Sequence, residues 1–222
     1  MLAAVSHDLR SPIAAVKAAS SSLRSHEVTW SADDQAELLA AIEDGADRLT
    51  ALVDNLLDLS RLQLGVVNPL LTEVDLSVAV TWVLASSPAA DRVTVRLHPQ
   101  LPTAVADPGL LDRVLSNLVD NALRYTPEDR EIAIEAHSDA QQVSLRVVDH
   151  GPGVRRDQQQ AMFEPFQRLG DVPAGDGLGL ELAAARGLAE AMNATLTAAD
   201  TPGGGLTMTL SLPLSDPIER SR

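Results

Sequence analysis

Apolar and small residues recur along the first part of the chain with helical spacing. Leu38, Ile42, Gly45, Leu49, Leu52, Leu56 and Leu59 alternate steps of four and three, which is a heptad seam. Val5, Leu9, Ile13, Val16 and Leu23 form a similar stripe upstream. Between them, Ser31-Ala-Asp-Asp supplies a helix start, with Ser31 able to cap free backbone N–H groups. The pattern predicts helix, turn, helix over residues 1–67. Two antiparallel helices cannot enclose a core. A seam along both predicts a four-helix bundle made by two chains, a homodimer, and an ordinary hairpin packed on its own domain is the other arrangement it allows.

Asn68-Pro69 ends this pattern. Over residues 73–214 short strand-like runs alternate with helical ones. Strands are expected at Val93–Leu97, Glu131–His137, Val143–Asp149, Thr195–Ala199 and Leu206–Leu212. Helices are expected near Ser77–Ala85, Gly109–Tyr125 and Leu180–Met192, and TPGGG reads as the turn between the last two strands. The fold class is therefore α+β: a helical hairpin, then one mixed sheet with helices on one face. The tail, 215–222, reads as frayed.

Composition narrows the chemistry. Aromatics are only 2% of the chain, so the core must be built from Leu, Val, Ile and Ala. The absence of cysteine excludes disulfides, thiolate metal sites and cysteine nucleophiles. A formal net charge of -14 argues against a nucleic-acid surface, which needs a basic stripe. It leaves room for a nucleotide, which a few local donors can hold. No apolar run approaches the ~20 residues that span a bilayer, and the start lacks a signal peptide's long apolar stretch. Only six residues precede His7, so a first helix cut short, in a piece of something larger, is expected.

His7 lies two positions from both Val5 and Leu9, which puts it on the side of the helix away from the seam. An exposed histidine by itself is ordinary surface. Here Asp8 follows it, and a carboxylate near one ring nitrogen can take its proton and leave the other as a nucleophile. Pro12 has no N–H to give the carbonyl of Asp8, so a bend just after the histidine is expected.

Further along, Asn117, Asn121 and Arg124 are spaced four and three and share one helix face, with Leu111, Leu115, Leu118 and Ala122 on another. An amide offers a carbonyl oxygen to Mg²⁺ and a guanidinium holds phosphate through two bonds, so the set suits an anionic ligand with a metal. The next strand ends in Asp149-His-Gly-Pro-Gly. An Asp there can accept a hydrogen bond from an adenine amino group, and Gly151 and Gly153 let the backbone pass close to a flat base. Phe163–Arg168 reads FEPFQR, and a glycine-bearing loop, Gly170–Leu180, then leads into a helix N-terminus, an arrangement suited to phosphate.

SHDLRSP resembles the phospho-acceptor motif of histidine kinases, and the later boxes resemble, in order, those of the ATP-binding domain that these kinases share with gyrase, Hsp90 and MutL ATPases. The likeness covers nearly the whole chain. It implies that His7 receives phosphate from ATP, that Asp8 is its general base, and that Ser11 holds the place of the hydroxyl or amide that positions water for dephosphorylating the partner. It implies Mg²⁺ on Asn121, phosphate and ribose contacts from Arg124 and Tyr125, and adenine on Asp149. Phe166 and Arg168 fall in the lid region, and Gly175, Gly177, Leu178 and Gly179 line the approach to the phosphates. The runs LVDNLLDLSRLQ, GLAEAM and DTPGGGLTMTLSLP are similar to the KdpD-type, potassium-responsive branch of actinobacteria. In that branch membrane and sensor parts precede this segment, and a response regulator's receiver domain takes the phosphate. The chain is then the cytoplasmic portion of a membrane-anchored sensor.

One position departs from the family. Aligned on the helix that follows, the Gly-Leu-Gly-Leu box falls on Gly179, Leu180, Glu181 and Leu182, so Glu181 replaces a glycine. Two unit charges ~5 Å apart at an effective dielectric of ~20 repel by about 3 kcal/mol. A carboxylate there would weaken triphosphate binding by up to roughly 100-fold. Two readings stay open: an ATP-dependent histidine kinase, and a nucleotide-impaired module that dimerises and docks a regulator.

Overall fold

The computed structural model describes residues 2–25, 28–87, 89–167 and 179–215, with residues 2–8 described as backbone only. Helix α1 spans Leu2–Leu23 and helix α2 spans Ala32–Gln63. Ser31 starts α2 with a reciprocal cap: its hydroxyl accepts from the Asp34 N–H, and the Asp34 carboxylate accepts from the Ser31 N–H. In the connection, the Trp30 indole N–H donates to the Ser22 carbonyl at 2.9 Å.

The two helices cross where Gly45 is buried against Pro12 and Val16. A Cβ on Gly45 would lie 2.5 Å from a Val16 methyl and 3.3 Å from the Pro12 carbonyl oxygen. Pro12 therefore has a packing role that sequence spacing did not reveal, and α1 runs on through it to Leu23. Its cost, one missing backbone bond, is set against a buried ring at the crossing.

The second region begins with β1, Thr72–Val74, paired antiparallel with β3, Ala104–Ala106. Neither three-residue strand is long enough to show an alternation, and both escape sequence reading. Between them lie α3, Leu76–Ala85, and β2, Val93–Arg96. Helix α4 is Pro108–Tyr125, β4 Ile132–Ser138, β5 Gln142–Val148, α5 Glu181–Ala191, β6 Thr195–Asp200 and β7 Leu206–Pro213. The sheet order is β2-β4-β5-β7-β6, with β2 parallel to β4 and every other pair antiparallel.

Alternation decides which side of the sheet is covered. Val143, Leu145 and Val147 on β5 and Leu206, Met208, Leu210 and Leu212 on β7 are buried. They pack with Leu111, Leu115 and Leu118 of α4 and Leu188 of α5 in one core. The opposite face is polar: the Ser144 and Ser211 hydroxyls bond each other across β5 and β7, and Arg146 pairs with Glu135. Among the described hairpin residues, Pro12 and Ala19 are the only buried apolar side chains.

Candidate nucleotide-binding site

Helix α4 is placed by its ends. The Asp107 carboxylate accepts from the N–H groups of Gly109 and Leu110, and Pro108 opens the helix with a ring that needs no N–H partner. Its other oxygen accepts from the Leu70 N–H at 2.7 Å, tying the linker to the same cap. At the far end Arg92 donates to the carbonyls of Leu123, Thr126 and Pro127. A cation there suits the negative end of the helix dipole. Arg92 comes from outside the helix, so no local spacing announces it.

With Leu111, Val114, Leu115, Leu118, Val119 and Ala122 buried, α4 turns a polar flank outward. Asn117, Asp120, Asn121 and Arg124 line one cleft together with Glu181 of α5. The opposite wall belongs to the hairpin: Pro12, Arg48, Ala51, Leu52 and Asn55. The face-sharing expected of Asn117, Asn121 and Arg124 is thus realised, and the cleft lies between the two regions. Among the described residues the Asn121 amide has no hydrogen-bond partner. Its carbonyl oxygen suits Mg²⁺, which binds through few protein oxygens and completes its shell with water and phosphate.

Glu181 stands on the guanidinium. Its Oε1 is 3.3 Å from Arg124 Nη1, and its Oε2 accepts from the Leu180 N–H at 3.0 Å. The Asn117 Nδ2 donates both to the Glu181 carbonyl at 3.2 Å and to Asn55 Oδ1 on the hairpin at 3.3 Å. An amide nitrogen has two hydrogens, so both are committed.

Asp149 follows β5 and is buried. Its Oδ1 accepts from Gly151 N–H at 2.8 Å and Leu206 N–H at 3.2 Å. Burial pushes its pKa above the ordinary carboxylate value, with the two backbone donors opposing. Among the described residues nothing donates to Oδ2. Gly151 brings the strand end against α4: a Cβ there would sit 2.6 Å from the Tyr125 carbonyl oxygen. Gly153 has φ +71. Gly179 has φ +63 and would place a Cβ 2.3 Å from the Gln167 carbonyl oxygen, while Phe166 N–H donates to the Gly179 carbonyl at 2.9 Å. Gly151 and Gly179 thus already serve chain-on-chain approach, a constraint that acts before any ligand arrives. Tyr125 and Phe166 are partly exposed beside them.

The remaining expectations distribute unevenly. His7 and Asp8 fall within α1, with their side chains outside the described residues. Ser11 is exposed on the same helix, next to the buried Pro12. Arg168, Gly175, Gly177, Leu178 and the tail beyond Ser215 lie outside the described residues.

Sequence reasoning missed the contacts that dock the hairpin here. Asp58 is buried on α2, with Oδ2 2.7 Å from Arg113 Nε on α4, and Arg113 also reaches Asp54 at 3.7 Å. Burial raises the Asp58 pKa even against that guanidinium. Leu62 packs on Gly187 of α5, where a Cβ would lie 2.6 Å from a Leu62 methyl. Asn55 and Asp58, three apart among leucines, were the available signal: polar residues on a helix flank need partners.

Two family models match the chain. Residues 1–65 match the His kinase A phospho-acceptor domain, and residues 106–216 match the histidine kinase-, DNA gyrase B- and HSP90-like ATPases. The chain is 49% identical over 221 residues to the sensor protein KdpD of Mycobacterium tuberculosis, covering 96% of this chain and 25% of that one. It is 33% identical to KdpD of Escherichia coli, covering 96% and 24%. The chain therefore spans about a quarter of the length of these relatives. Among solved structures, full-length ShkA in complex with AMPPNP aligns at TM-score 0.67 and 27% identity, over 85% of this chain and 40% of that one. Histidine kinase AdeS of Acinetobacter baumannii aligns at TM-score 0.69 and 22% identity, over 95% and 98%, a likeness of fold.

Proposed function

The chain belongs to the family of histidine kinase-, DNA gyrase B- and HSP90-like ATPases and carries the histidine-kinase phospho-acceptor domain ahead of the ATPase region; on that premise we propose that it is a histidine kinase core that phosphorylates itself on His7. Residues 1–67 form the dimerising acceptor hairpin and residues 73–214 bind ATP. The observation that carries the reading is the shared cleft. Pro12, five residues or about 7.5 Å of helix beyond His7, lines the same opening as Asn117, Asn121 and Arg124.

ATP lies with its adenine amino group on Asp149 and its phosphates toward Arg124. Asn121 would hold Mg²⁺, which when bound would neutralise charge on the phosphates. Asp8 takes the proton from one imidazole nitrogen of His7. The other nitrogen forms the N–P bond as the bond from γ-phosphorus to the bridging oxygen breaks and ADP departs. The phosphoryl group then passes to an aspartate of a response regulator's receiver domain, and Ser11 positions water for the separate hydrolysis of that aspartyl phosphate, which releases inorganic phosphate. Likeness to KdpD points to potassium-responsive signalling. Among the described residues no helix is long and apolar enough to cross a membrane. The chain is the cytoplasmic part of a longer, membrane-anchored sensor.

A second reading has its own observation: the Glu181 carboxylate on Arg124 favours a docking module with impaired nucleotide use. Incubation with γ-labelled ATP and Mg²⁺, beside His7→Ala and Glu181→Gly, separates the two. Acid-labile label on the parent and none on His7→Ala supports the kinase. Label on Glu181→Gly alone supports the docking module.

A further inference from the structure

Glu181 and the hairpin both occupy bonding capacity that a nucleotide would use. The Glu181 carboxylate stands on Arg124 where a phosphate oxygen would otherwise pair, and its side chain is only 17% exposed. Asn117 has both amide hydrogens committed, one to the Glu181 carbonyl and one to Asn55 of the hairpin. The cleft lining carries Arg48 and Arg124 against Asp120 and Glu181, so its charges balance without any ligand. The same hairpin face is held nearby by Asp58 on Arg113 and Leu62 on Gly187.

We propose that Glu181 is a resident anion that holds the hairpin in this docked arrangement, and that nucleotide binding and this arrangement compete through Glu181 and Asn117, so that bound nucleotide frees the hairpin to re-seat with His7 toward the phosphates. This rests on the reading of the cleft as an ATP site. Phosphate arriving at Arg124 displaces the Glu181 side chain, and the first turn of α5 shifts with it, because that carboxylate also takes the Leu180 N–H. The Asn117 bond to the Glu181 carbonyl is then lost, and the Asn55–Asn117 contact is the next to open. The device is a competition between two anions for one guanidinium, coupled to a domain contact, and it makes Asn55 affect nucleotide affinity from another helix.

Two measurements on the full chain test it. The first is calorimetric binding of a non-hydrolysable ATP analogue with Mg²⁺ to the parent, Glu181→Gln and Asn55→Ala. Glu181→Gln should bind at least about tenfold tighter, a gain of ~1.4 kcal/mol, and Asn55→Ala should bind severalfold tighter. The second uses the cysteine-free background: Leu62→Cys with Gly187→Cys should form a disulfide within one chain in the docked state. The analogue should slow that oxidation in the parent sequence. Equal affinities, or a cross-linking rate indifferent to nucleotide, overturn the inference and leave the ATP site standing. No binding by the parent or by either variant overturns the ATP site and the inference together.

Discussion

Asp149 shows how one buried carboxylate can be read in two ways that a single substitution separates. Its Oδ1 is committed to two backbone N–H groups, so an asparagine there must keep its oxygen inward and turn its NH₂ toward the ligand side. A donor would then face the adenine amino group, itself a donor. Asp149→Asn should weaken binding of an ATP analogue by roughly 10- to 100-fold, the loss of a charged hydrogen bond. Undiminished binding would remove Asp149 from the adenine site. Stability should move the other way. Burial raises the folded-state pKa above the ordinary 3.8, so the folded chain keeps a proton that the unfolded chain has released. Stability therefore falls as pH rises from 3.8 through the folded pKa, and the full cost is present above it. The asparagine variant should melt no lower than the parent at pH 7 and should lose that part of the acid-side slope in a series of thermal melts. At this scale the sequence singled out the residue and suggested a ligand for it, and the structure shows a buried carboxylate with one oxygen held by backbone donors. It could not show that Gly205, read only as part of a turn, packs so close that a Cβ would meet the Asp149 carbonyl.

At the scale of elements, the hairpin crossing sets two known magnitudes against each other. Gly45→Ala gains about 1 kcal/mol of helix propensity inside α2. It also drives a methyl to 2.5 Å from a Val16 methyl and 3.3 Å from the Pro12 carbonyl, and overpacking of that kind costs about 1–3 kcal/mol. Val16 is β-branched and cannot swing aside cheaply. Gly45→Ala alone should leave thermal stability unchanged or lower. In a Val16→Ala background the same substitution should become stabilising, and failure of that sign change in a four-variant melting cycle would remove the crossing contact. Gly45 was legible as a seam position, but not as the point of closest approach, because spacing gives a face and not a depth. The long strands were legible for a related reason. β5 buries every second residue over seven positions, and β7 alternates apolar with polar residues from Leu206 to Leu212, so the period declares itself. β1 and β3, three residues each, carry too little pattern, and only pairing to each other defines them.

For the whole molecule, the surfaces of α2 sort into three faces, and two of them are accounted for within one chain. The seam meets α1. Asn55, Asp58 and Leu62 meet α4 and α5, through partners 55 and 62 residues away for the two polar groups, a separation that local pattern cannot convey. Leu39, Val53 and Leu57 remain, and at 100° per residue they lie roughly opposite the docking face. All three are about half exposed, as is Ile13 on α1. A single chain gives the hairpin almost no buried apolar side chain, so these residues argue for a second copy completing a four-helix bundle. Burying one such side chain contributes about 1.5–3 kcal/mol. Val53→Glu with Leu57→Glu removes two half-covered side chains from each chain, about 3–6 kcal/mol over the dimer, so the dimer constant should weaken by at least roughly a hundredfold. Sedimentation should show monomer where the parent is dimeric. The sheet domain, whose core lies around Leu111, Leu145 and Leu210, should keep its nucleotide affinity. A double variant that stays dimeric would place the contact on another face. One that loses nucleotide binding as well would mean that the cleft is completed only when two hairpins hold it.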